Sequence, residues 1–387
     1  MTPGARVAAA IEVLDQIRAG AFAEQALTAW ARGSRFAGAK DRAAVRDHVF
    51  DVLRSKRSLG DGDGRALMLR LMQRDGVDVG SIFNGLGHAP AAMSEDESVA
   101  LSQPMNLSEA ATCDIPDWLW PIWQESLGAD AVASAQAQQA RADVFLRVNQ
   151  RKGSVADAMA ALAQDGISTE LYPHVTTCLR VLDNPRRVKT AAAYLTGLVE
   201  LQDAASQRAV GLVPAGGRLL DYCAGGGGKA LAFADLTDAE IFAHDIAPAR
   251  MKDLPDRAAR AGVTIQTLTT AELPGEAPFN VVFCDAPCSG SGTWRRTPDA
   301  KWRLDADRLG ALTSLQADVI MQAARLVAPG GVLAYATCSV LRPENDDIIH
   351  GFLAQHPGWR VTLRDQSLPG PDGDGFFLCI LQHIDNL

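Results

Sequence analysis

The sequence lacks any long apolar run that would enter a membrane. No run of eighteen apolar residues occurs, which argues against a membrane-spanning helix. The first twenty residues carry charges at Glu12, Asp15 and Arg18, whereas a signal peptide requires an uninterrupted apolar segment. The 387 residues, 47% of them hydrophobic, suffice for a large core and two or three domains. We therefore expect a cytoplasmic protein with no membrane partner.

Cysteine is also scarce, and its pattern excludes two kinds of site. An odd number of irregularly spaced cysteines in a long chain argues against a disulfide framework. Cys284 and Cys288 would need two more ligands to hold a metal, and no paired Cys or His follows at finger spacing. We therefore predict neither disulfides nor a metal. The seven cysteines are Cys113, Cys178, Cys223, Cys284, Cys288, Cys338 and Cys379.

Positive charge is missing from one long stretch. Residues 75–140 contain no Lys or Arg and ten acids. Since the net charge of the chain is −9, the remainder carries +1, with +4 in residues 1–70 and +3 in residues 141–190. This bipolar distribution is compatible with a nucleic-acid partner that avoids residues 75–140, although a solvated surface is the alternative.

The apolar pattern predicts three successive regions. Residues 5–75 repeat apolar positions at helical spacing, as in Val7, Ile11, Leu14 and Ile17. Trp118, Trp120 and Trp123 follow in a segment punctuated by Pro116 and Pro121. We predict that they anchor the core, with stacking on bases as the alternative. The predicted domains are an all-helical domain, a small α+β connector and an α/β domain, over residues 1–135, 136–200 and 201–387.

Strand and helix patterns alternate in the third region. Such alternation predicts an α/β fold with a mostly parallel, doubly wound, Rossmann-like sheet. The seven predicted strands cover residues 218–223, 240–245, 263–268, 280–285, 331–337, 359–365 and 376–382.

The ends of these strands carry the chemistry. In an open parallel sheet the ligand site lies outside the carboxyl ends of the strands. Carboxylates, glycines and two thiols are expected at this edge, namely Asp221, the run "AGGGGKA", Asp245, Asp285, Cys288 and Cys338.

The glycine run indicates a nucleoside-containing cofactor. Gly225 to Gly228 allow the backbone to approach a ligand closely. Asp245 follows at about twenty residues, the interval at which an acid hydrogen-bonds a ribose diol. The run lacks the G-x4-G-K-[ST] spacing of a nucleotide triphosphate loop.

The two thiols at strand ends are candidate nucleophiles. Cys288 and Cys338 follow apolar strand segments rather than lying within them, and a thiolate aimed at a cofactor is a reactive group. Cys223, Cys284 and Cys379 are interpreted as small buried side chains.

Four motifs resemble those of one family. "DYCAGGGGKA" resembles a cofactor loop, "DAPCSGSGTWRRTPDAKW" a cytosine-binding motif, "YATCSVLRPEND" a nucleophile motif, and "LVELQDAASQRAV" an entry motif. Over roughly the last 240 residues the chain resembles the RsmB/Sun family of RNA cytosine-5 methyltransferases, which use S-adenosylmethionine. The helices of residues 5–75 more loosely resemble the NusB-like RNA-binding domain of the bacterial RsmB branch.

The resemblance implies roles for individual residues. Cys338 would attack ring carbon 6 of cytosine, Cys288 would assist release of the product, and Asp285 would bond the cytosine edge near ring nitrogen 3. For Lys229, lowering a thiol pKa, positioning Asp285 and lying on a helix surface remain open. The implied cofactor-binding residues are Cys223, Ala224, Gly225, Gly226, Gly227, Gly228, Lys229, Asp245, Arg250 and Asp285.

The chain departs from the family at two places. The family usually has Ala-Pro at Gly225 and Gly226, and an acid near the adenine at the position of Thr269. Either Glu272 substitutes for that acid or the adenine contact is lost. Four cations in or directly after the cytosine motif are expected to hold phosphates or to lie in a solvated loop, namely Arg295, Arg296, Lys301 and Arg303.

The expected function is methylation of ring carbon 5 of a cytosine in RNA, with ribosomal RNA as the expected substrate and a monomer as the default state. Alternatives are a tRNA methyltransferase, a non-catalytic RNA-binding or ribosome assembly factor, and a DNA cytosine-5 methyltransferase. The last of these places its nucleophile in the Pro-Cys motif.

Overall fold

A computed structural model describes residues 1–384 and divides into two compact units. The first comprises Met1–Gln124, Gly128–Arg141 and Trp294–Leu304. The second comprises Glu125–Leu127, Ala142–Thr293 and the chain from Asp305 onward. The division into domains 1–135, 136–200 and 201–387 stays a prediction.

The α-helices are α1 Pro3–Arg18, α2 Ala23–Gly33, α3 Ala39–Arg54, α4 Gly64–Arg74, α5 Val79–Ile82, α6 Glu95–Ser102, α7 Glu109–Thr112, α8 Trp120–Leu127, α9 Ala131–Ala137, α10 Val155–Gln164, α11 Ala192–Leu195, α12 Ala204–Leu212, α13 Gly228–Leu236, α14 Leu254–Ala261, α15 Leu273–Glu276, α16 Pro298–Trp302, α17 Ala306–Ala324 and α18 Asp346–Gln355. Short 3-10 helices cover Gly128–Asp130, Pro185–Thr190, Pro248–Met251 and Arg342–Glu344. Within residues 1–384, no helix combines the length and the apolar character needed to cross a bilayer.

The strands are β1 Val144–Val148, β2 Thr169–Leu171, β3 Cys178–Val181, β4 Val199–Leu201, β5 Arg218–Asp221, β6 Glu240–His244, β7 Gln266–Leu268, β8 Phe279–Asp285, β9 Val327–Thr337, β10 Trp359–Ser367 and β11 Phe376–His383.

Helix α1 of the first unit shows why its sequence forms a helix. The Thr2 hydroxyl accepts a backbone N–H of the first turn at 3.2 Å, and Pro3 occupies the first helical position. Such a cap stabilises a helix by about 1 kcal/mol. The helix ends before Gly20, whose φ of +110° suits glycine. Val7 and Leu14 are buried, as predicted.

The other predicted core positions of the first unit are also largely buried. Val45, Val49, Phe50 and Leu53 of α3 join the cluster formed by α1 and α4. The predicted anchoring role is confirmed for the buried Trp120 and Trp123, whereas Trp118 is half-buried.

Part of the cytosine-binding motif belongs to the first unit. Trp294 stacks on Trp123 with ring centroids 5.9 Å apart. Arg295 is 5% exposed and Lys301 is 1% exposed, and burial lowers the pKa of Lys301 to about 8. The expectation that these two cations hold phosphates or lie in a solvated loop is therefore wrong. Arg303 is held by its own ion pair with Asp299 at 2.9 Å.

The sheet of the second unit confirms the predicted fold class. Its strand order is β10-β11-β9-β8-β5-β6-β7. The pairs β9-β8, β8-β5, β5-β6 and β6-β7 are parallel, and β11 is antiparallel to both of its neighbours. All seven predicted strands are present. The third predicted strand, β7, begins at Gln266 instead of residue 263. Gly262 and Val263 still belong to the end of α14, because Val263 N donates to Ala258 O at 3.0 Å.

Alternating side chains cover both faces of this sheet. Leu219 and Val281 pack with α12, α13 and α14, whereas Leu220 and Val282 pack with α17 and α18. The result is a sheet between two helical layers, which buries near-continuous apolar strands. The second unit also holds an antiparallel sheet of order β2-β3-β1-β4.

Candidate active site

The carboxyl ends of four adjacent parallel strands bring the predicted site residues to one edge of the sheet. Strands β6, β5, β8 and β9 are neighbours in that order. Asp221 ends β5, Asp245 follows β6, Asp285 ends β8 and Cys338 follows β9. This is the edge at which doubly wound sheets bind ligands.

The two predicted thiols lie beside each other. The Sγ atoms of Cys288 and Cys338 are 3.4 Å apart, and both side chains are half-buried. The hydrogen bond from the Cys288 thiol lowers the pKa of Cys338 in spite of burial, and Lys229 adds to this effect. The same bond, together with burial, raises the pKa of Cys288 well above its ordinary value. The pair therefore favours a thiolate on Cys338 and a neutral thiol on Cys288.

Lys229 and Asp285 form an ion pair at the same edge. Lys229 lies in the first turn of α13, and its Nζ contacts the Asp285 carboxylate. Burial opposes the charge of Lys229, but attraction to Asp285 prevails and raises the pKa of the ammonium. The pair leaves about a fifth of each side chain exposed, 23% and 22%. Two of the roles left open for Lys229 are therefore compatible with each other. Lys229 contacts Asp285, and its positive charge lowers the pKa of Cys338.

The glycine loop adopts a conformation that suits glycine. Gly225 has φ +52° and Gly227 has φ +79°, both in the left-handed region. A Cβ on Gly227 would lie 2.2 Å from a methyl carbon of Leu254. Arg257 donates to the Gly226 carbonyl. The turn therefore leads from β5 into α13 with its backbone at the ligand edge.

Asp245 retains a place for a ribose hydroxyl. Its carboxylate is 1% exposed and accepts from Gly225 N, Ala247 N and Arg250 Nη1, each at 2.9 Å. A carboxylate offers roughly four acceptor positions. The Arg250 side chain is 58% exposed, so it is the partner that can move aside for a nucleoside. The residues present therefore fit the predicted cofactor.

Asp221 lies behind the Lys229–Asp285 pair and is fully buried. Its Oδ2 accepts from Ala230 N at 3.0 Å, and its Oδ1 has no partner among residues 1–384. Burial, with the charge of Asp285, raises the pKa of Asp221 to about 7. This carboxyl connects the end of β5 to the start of α13. No cation among the described residues forms an ion pair with it.

The remaining predicted residues have different environments. Ala224 is buried and donates its N–H to the His244 carbonyl at 2.8 Å, while Cys223 is half-buried. The interpretation of Cys284 and Cys379 as buried side chains is confirmed by exposures of 0% and 2%.

Glu272, the proposed substitute for the acid near the adenine, accepts hydrogen bonds from a residue of its own turn. Its carboxylate accepts from the Thr269 backbone N at 2.7 Å and from the Thr269 hydroxyl at 2.8 Å. These bonds lower the pKa of Glu272.

Sequence reasoning assigned no role to a set of polar residues around the cysteines. Asn345 braces the strand end, because it accepts from the Thr337 hydroxyl at 2.6 Å and donates to the Ser339 carbonyl at 2.9 Å. The serines, Glu344 and Asn345 of this set follow the apolar strands β8 and β9 in the sequence, which is their signal, whereas Gln316 lies within α17 and has no such signal. The set comprises Ser289, Ser291, Gln316, Thr337, Ser339, Glu344 and Asn345.

Within the described residues, no group of three or more His, Cys, Asp or Glu side chains is arranged to hold a metal ion. The absence of a bound metal stays a prediction.

Comparison with known proteins identifies the family. Residues 212–378 match the model described as 16S rRNA methyltransferase RsmB/F. Residues 115–189 match the ferredoxin-like domain described as RsmF/B-like.

Relatives and solved structures agree with these matches. The ribosomal RNA small subunit methyltransferase B of Vibrio cholerae is 32% identical over 317 residues, 78% of this chain and 73% of the relative. The protein of that name from Klebsiella pneumoniae is 34% identical over 68% of this chain and 64% of its own length. The crystal structure of PH0851 shares the fold, with a TM-score of 0.74, 23% identity, and coverage of 98% and 99% of the two chains. The thiol pair and the glycine loop thus lie in a chain that belongs to the RsmB/F family and is an S-adenosylmethionine-dependent RNA methyltransferase.

Proposed function

We propose that this protein methylates ring carbon 5 of a cytosine in the RNA of the small ribosomal subunit. The observation that carries the proposal is the pair of sulfur atoms 3.4 Å apart, with thiol pKa values shifted in opposite directions. Relatives named small subunit methyltransferase B support the choice of RNA. A cytoplasmic location follows from this substrate, and we propose a monomer that requires no metal.

Cys338 begins the reaction. Carbon 5 of cytosine is a poor nucleophile, and attack of a thiolate on carbon 6 converts the ring to an enamine whose carbon 5 is nucleophilic. Asp285, held by Lys229, accepts a hydrogen bond from the amino group next to ring nitrogen 3, and the Lys229 ammonium stabilises the negative charge that develops on the ring. S-adenosylmethionine supplies an electrophilic methyl group on a sulfonium, which carbon 5 accepts.

Cys288 completes the reaction. Once the Cys338 sulfur is bonded to carbon 6, it carries no negative charge and no longer accepts a hydrogen bond as a thiolate. The largest cause that raises the pKa of Cys288 is thereby removed. Cys288 then ionises more readily and takes the proton from carbon 5, after which the bond from sulfur to carbon 6 breaks and Cys338 leaves as a thiolate.

The first unit offers a surface for RNA. An open groove of about 760 Å³ between α2 and α3 is lined by four arginines, with Trp30 in its wall. Glu24 also lines it and pairs with Arg46, so the other three arginines are the candidates for phosphate contacts. Phe36 follows in the loop and is 77% exposed. Arginines that bind phosphates beside an exposed aromatic ring are typical of surfaces for single-stranded RNA. The arginines are Arg32, Arg35, Arg42 and Arg46.

Bisulfite sequencing of RNA from a strain that lacks the gene tests the proposal. One cytosine of small subunit ribosomal RNA is expected to lose its protection from conversion by bisulfite, and to regain this protection when the gene is restored. Loss of protection in a tRNA instead would favour the tRNA alternative. No change in any RNA, together with no binding of S-adenosylmethionine by calorimetry, would favour a non-catalytic assembly factor.

A further inference from the structure

A single buried carboxylate connects the two loops that carry the cysteines. Glu344 is 0% exposed and lies at the end of the 3-10 helix Arg342–Glu344. Its Oε1 accepts from Ser289 N at 2.7 Å and from Gln316 Nε2 at 3.0 Å. Its Oε2 accepts from the hydroxyls of Ser289 and Ser339. These serines follow Cys288 and Cys338 directly in the sequence.

The same carboxylate is also connected, through Gln316, to Pro287, the residue before Cys288. Gln316 on α17 donates one hydrogen to the Pro287 carbonyl at 2.8 Å and another to Glu344. The Tyr335 hydroxyl donates to the Glu344 backbone carbonyl at 2.8 Å. Glu344 is therefore fixed to strand β9 and helix α17, and it fixes the Cys288 loop on both sides of the sulfur.

The network allows one assignment of its protons. Each serine hydroxyl has one hydrogen, and those of Ser289 and Ser339 are both donated to Glu344. Ser291 must therefore donate across the 2.8 Å contact to the Ser339 oxygen. Ser291 in turn accepts from Val340 N at 2.9 Å. All contacts of the carboxylate are donors. An amide in its place would present hydrogens to the hydroxyls of Ser289 and Ser339, which would have to reverse from donating to accepting.

We propose that Glu344 is a positioning residue that sets the distance between the Cys288 and Cys338 sulfur atoms through Ser289 and Ser339. It touches neither sulfur nor substrate. The inference rests on the proposed function. The distance between the two sulfur atoms matters for catalysis because one thiol forms the bond to cytosine and the other assists its release. The negative charge of Glu344 also contributes to the raised pKa of Cys288, which keeps that thiol as a donor.

The variant Glu344→Gln tests the proposal with two readouts. A displacement of reacting groups by about 1 Å can lower turnover about 100-fold, and we expect a loss of kcat of about that size. We expect little change in the Kd for S-adenosylmethionine by calorimetry, because Glu344 contacts no residue of the glycine loop. The second readout is the pH profile of Cys338 alkylation by iodoacetamide. Its inflection is expected to move to higher pH, because a displaced Cys288 no longer donates to the thiolate.

Asp114→Asn is the matched control. Asp114 is also buried, at 0% exposed, and accepts hydrogen bonds from Arg57 N, Ser58 N and Gln139 Nε2 within the first unit. This variant tests the loss of a buried carboxylate as such, and we expect it to leave kcat and the alkylation profile of Cys338 unchanged. If Glu344→Gln fails to fold, the double variant Ser289→Ala/Ser339→Ala removes the two hydroxyl bonds and is expected to shift the same two readouts in the same direction.

A folded Glu344→Gln protein with wild-type turnover and an unchanged alkylation profile would overturn the positioning role. Equal losses in Glu344→Gln and Asp114→Asn would overturn it as well, because they would show a general effect of losing a buried carboxylate. If the wild-type protein methylates no RNA, the proposed function fails, whereas the alkylation profile still reports whether Glu344 positions the thiols.

Discussion

At the scale of single residues, the two cysteines at the ligand edge have thiol pKa values shifted in opposite directions. The Cys288 thiol donates to Cys338, which lowers the pKa of Cys338 and raises that of Cys288. Lys229 reinforces the thiolate, and Asp285 opposes it. A hydrogen bond to a charged group is roughly twice as strong as a neutral one, which favours one thiolate beside one thiol. The neighbouring charges favour the thiolate on Cys338, because Lys229 lowers its pKa and Glu344 raises that of Cys288.

This coupling predicts the pH dependence of Cys338 alkylation. The thiolate is the reacting species, so the wild-type rate is expected to inflect below the ordinary thiol pKa of about 8.5. In Cys288→Ala the donor is lost and the inflection is expected to rise. Mass spectrometry of the iodoacetamide-treated Cys338 peptide measures both. Cys113→Ala, in the first unit, is the control, and identical inflections in Cys288→Ala and wild type would contradict the coupling.

At the scale of elements, alternation of apolar strands and helices predicted the sheet well. The strands that carry the site were placed correctly, and because carboxyl ends of parallel strands share an edge, Asp245, Asp285, Cys288 and Cys338 could be grouped from sequence. The glycine that ends α14 was visible in the sequence, but the bond from Val263 N back to Ala258 O was not, so β7 begins only at Gln266.

The polar contacts between elements were not predictable. Serine is common after strands, and the sequence does not show that Ser289 and Ser339 share Glu344. The charged motif segment 294–304 suggested an exposed loop, yet it packs within the helical unit and buries Lys301. Such long-range packing depends on which distant segments meet, and the local pattern does not contain that information.

At the scale of the whole molecule, charge is divided along the chain. The net charge of −9 conceals +4 in residues 1–70 and a segment, 75–140, without a single cation. The acid-rich segment offers no cation to phosphates, so we expect RNA crosslinks to avoid it. The arginine groove between α2 and α3 is the expected contact in the first unit.

Reversing charge in this groove is expected to weaken RNA binding. Arg32→Glu/Arg35→Glu removes two phosphate contacts, and the slope of log affinity against log salt is expected to fall by about 2. Titration of a labelled ribosomal RNA fragment at several salt concentrations measures this. Arg360→Glu, on strand β10, is the control for loss of positive charge elsewhere. Equal slopes for Arg32→Glu/Arg35→Glu and wild type would show that this groove does not bind RNA phosphates.

The central claim is that the two sulfurs divide the catalytic cycle, and covalent trapping tests it most directly. Each cysteine variant is incubated with RNA and S-adenosylmethionine, denatured, and separated by electrophoresis. We predict that Cys288→Ala accumulates a covalent RNA adduct that survives denaturation, because the bond to carbon 6 forms and is not released, while Cys338→Ala forms no adduct and no methylated RNA. Normal turnover by Cys338→Ala, with no adduct from Cys288→Ala, would contradict the account.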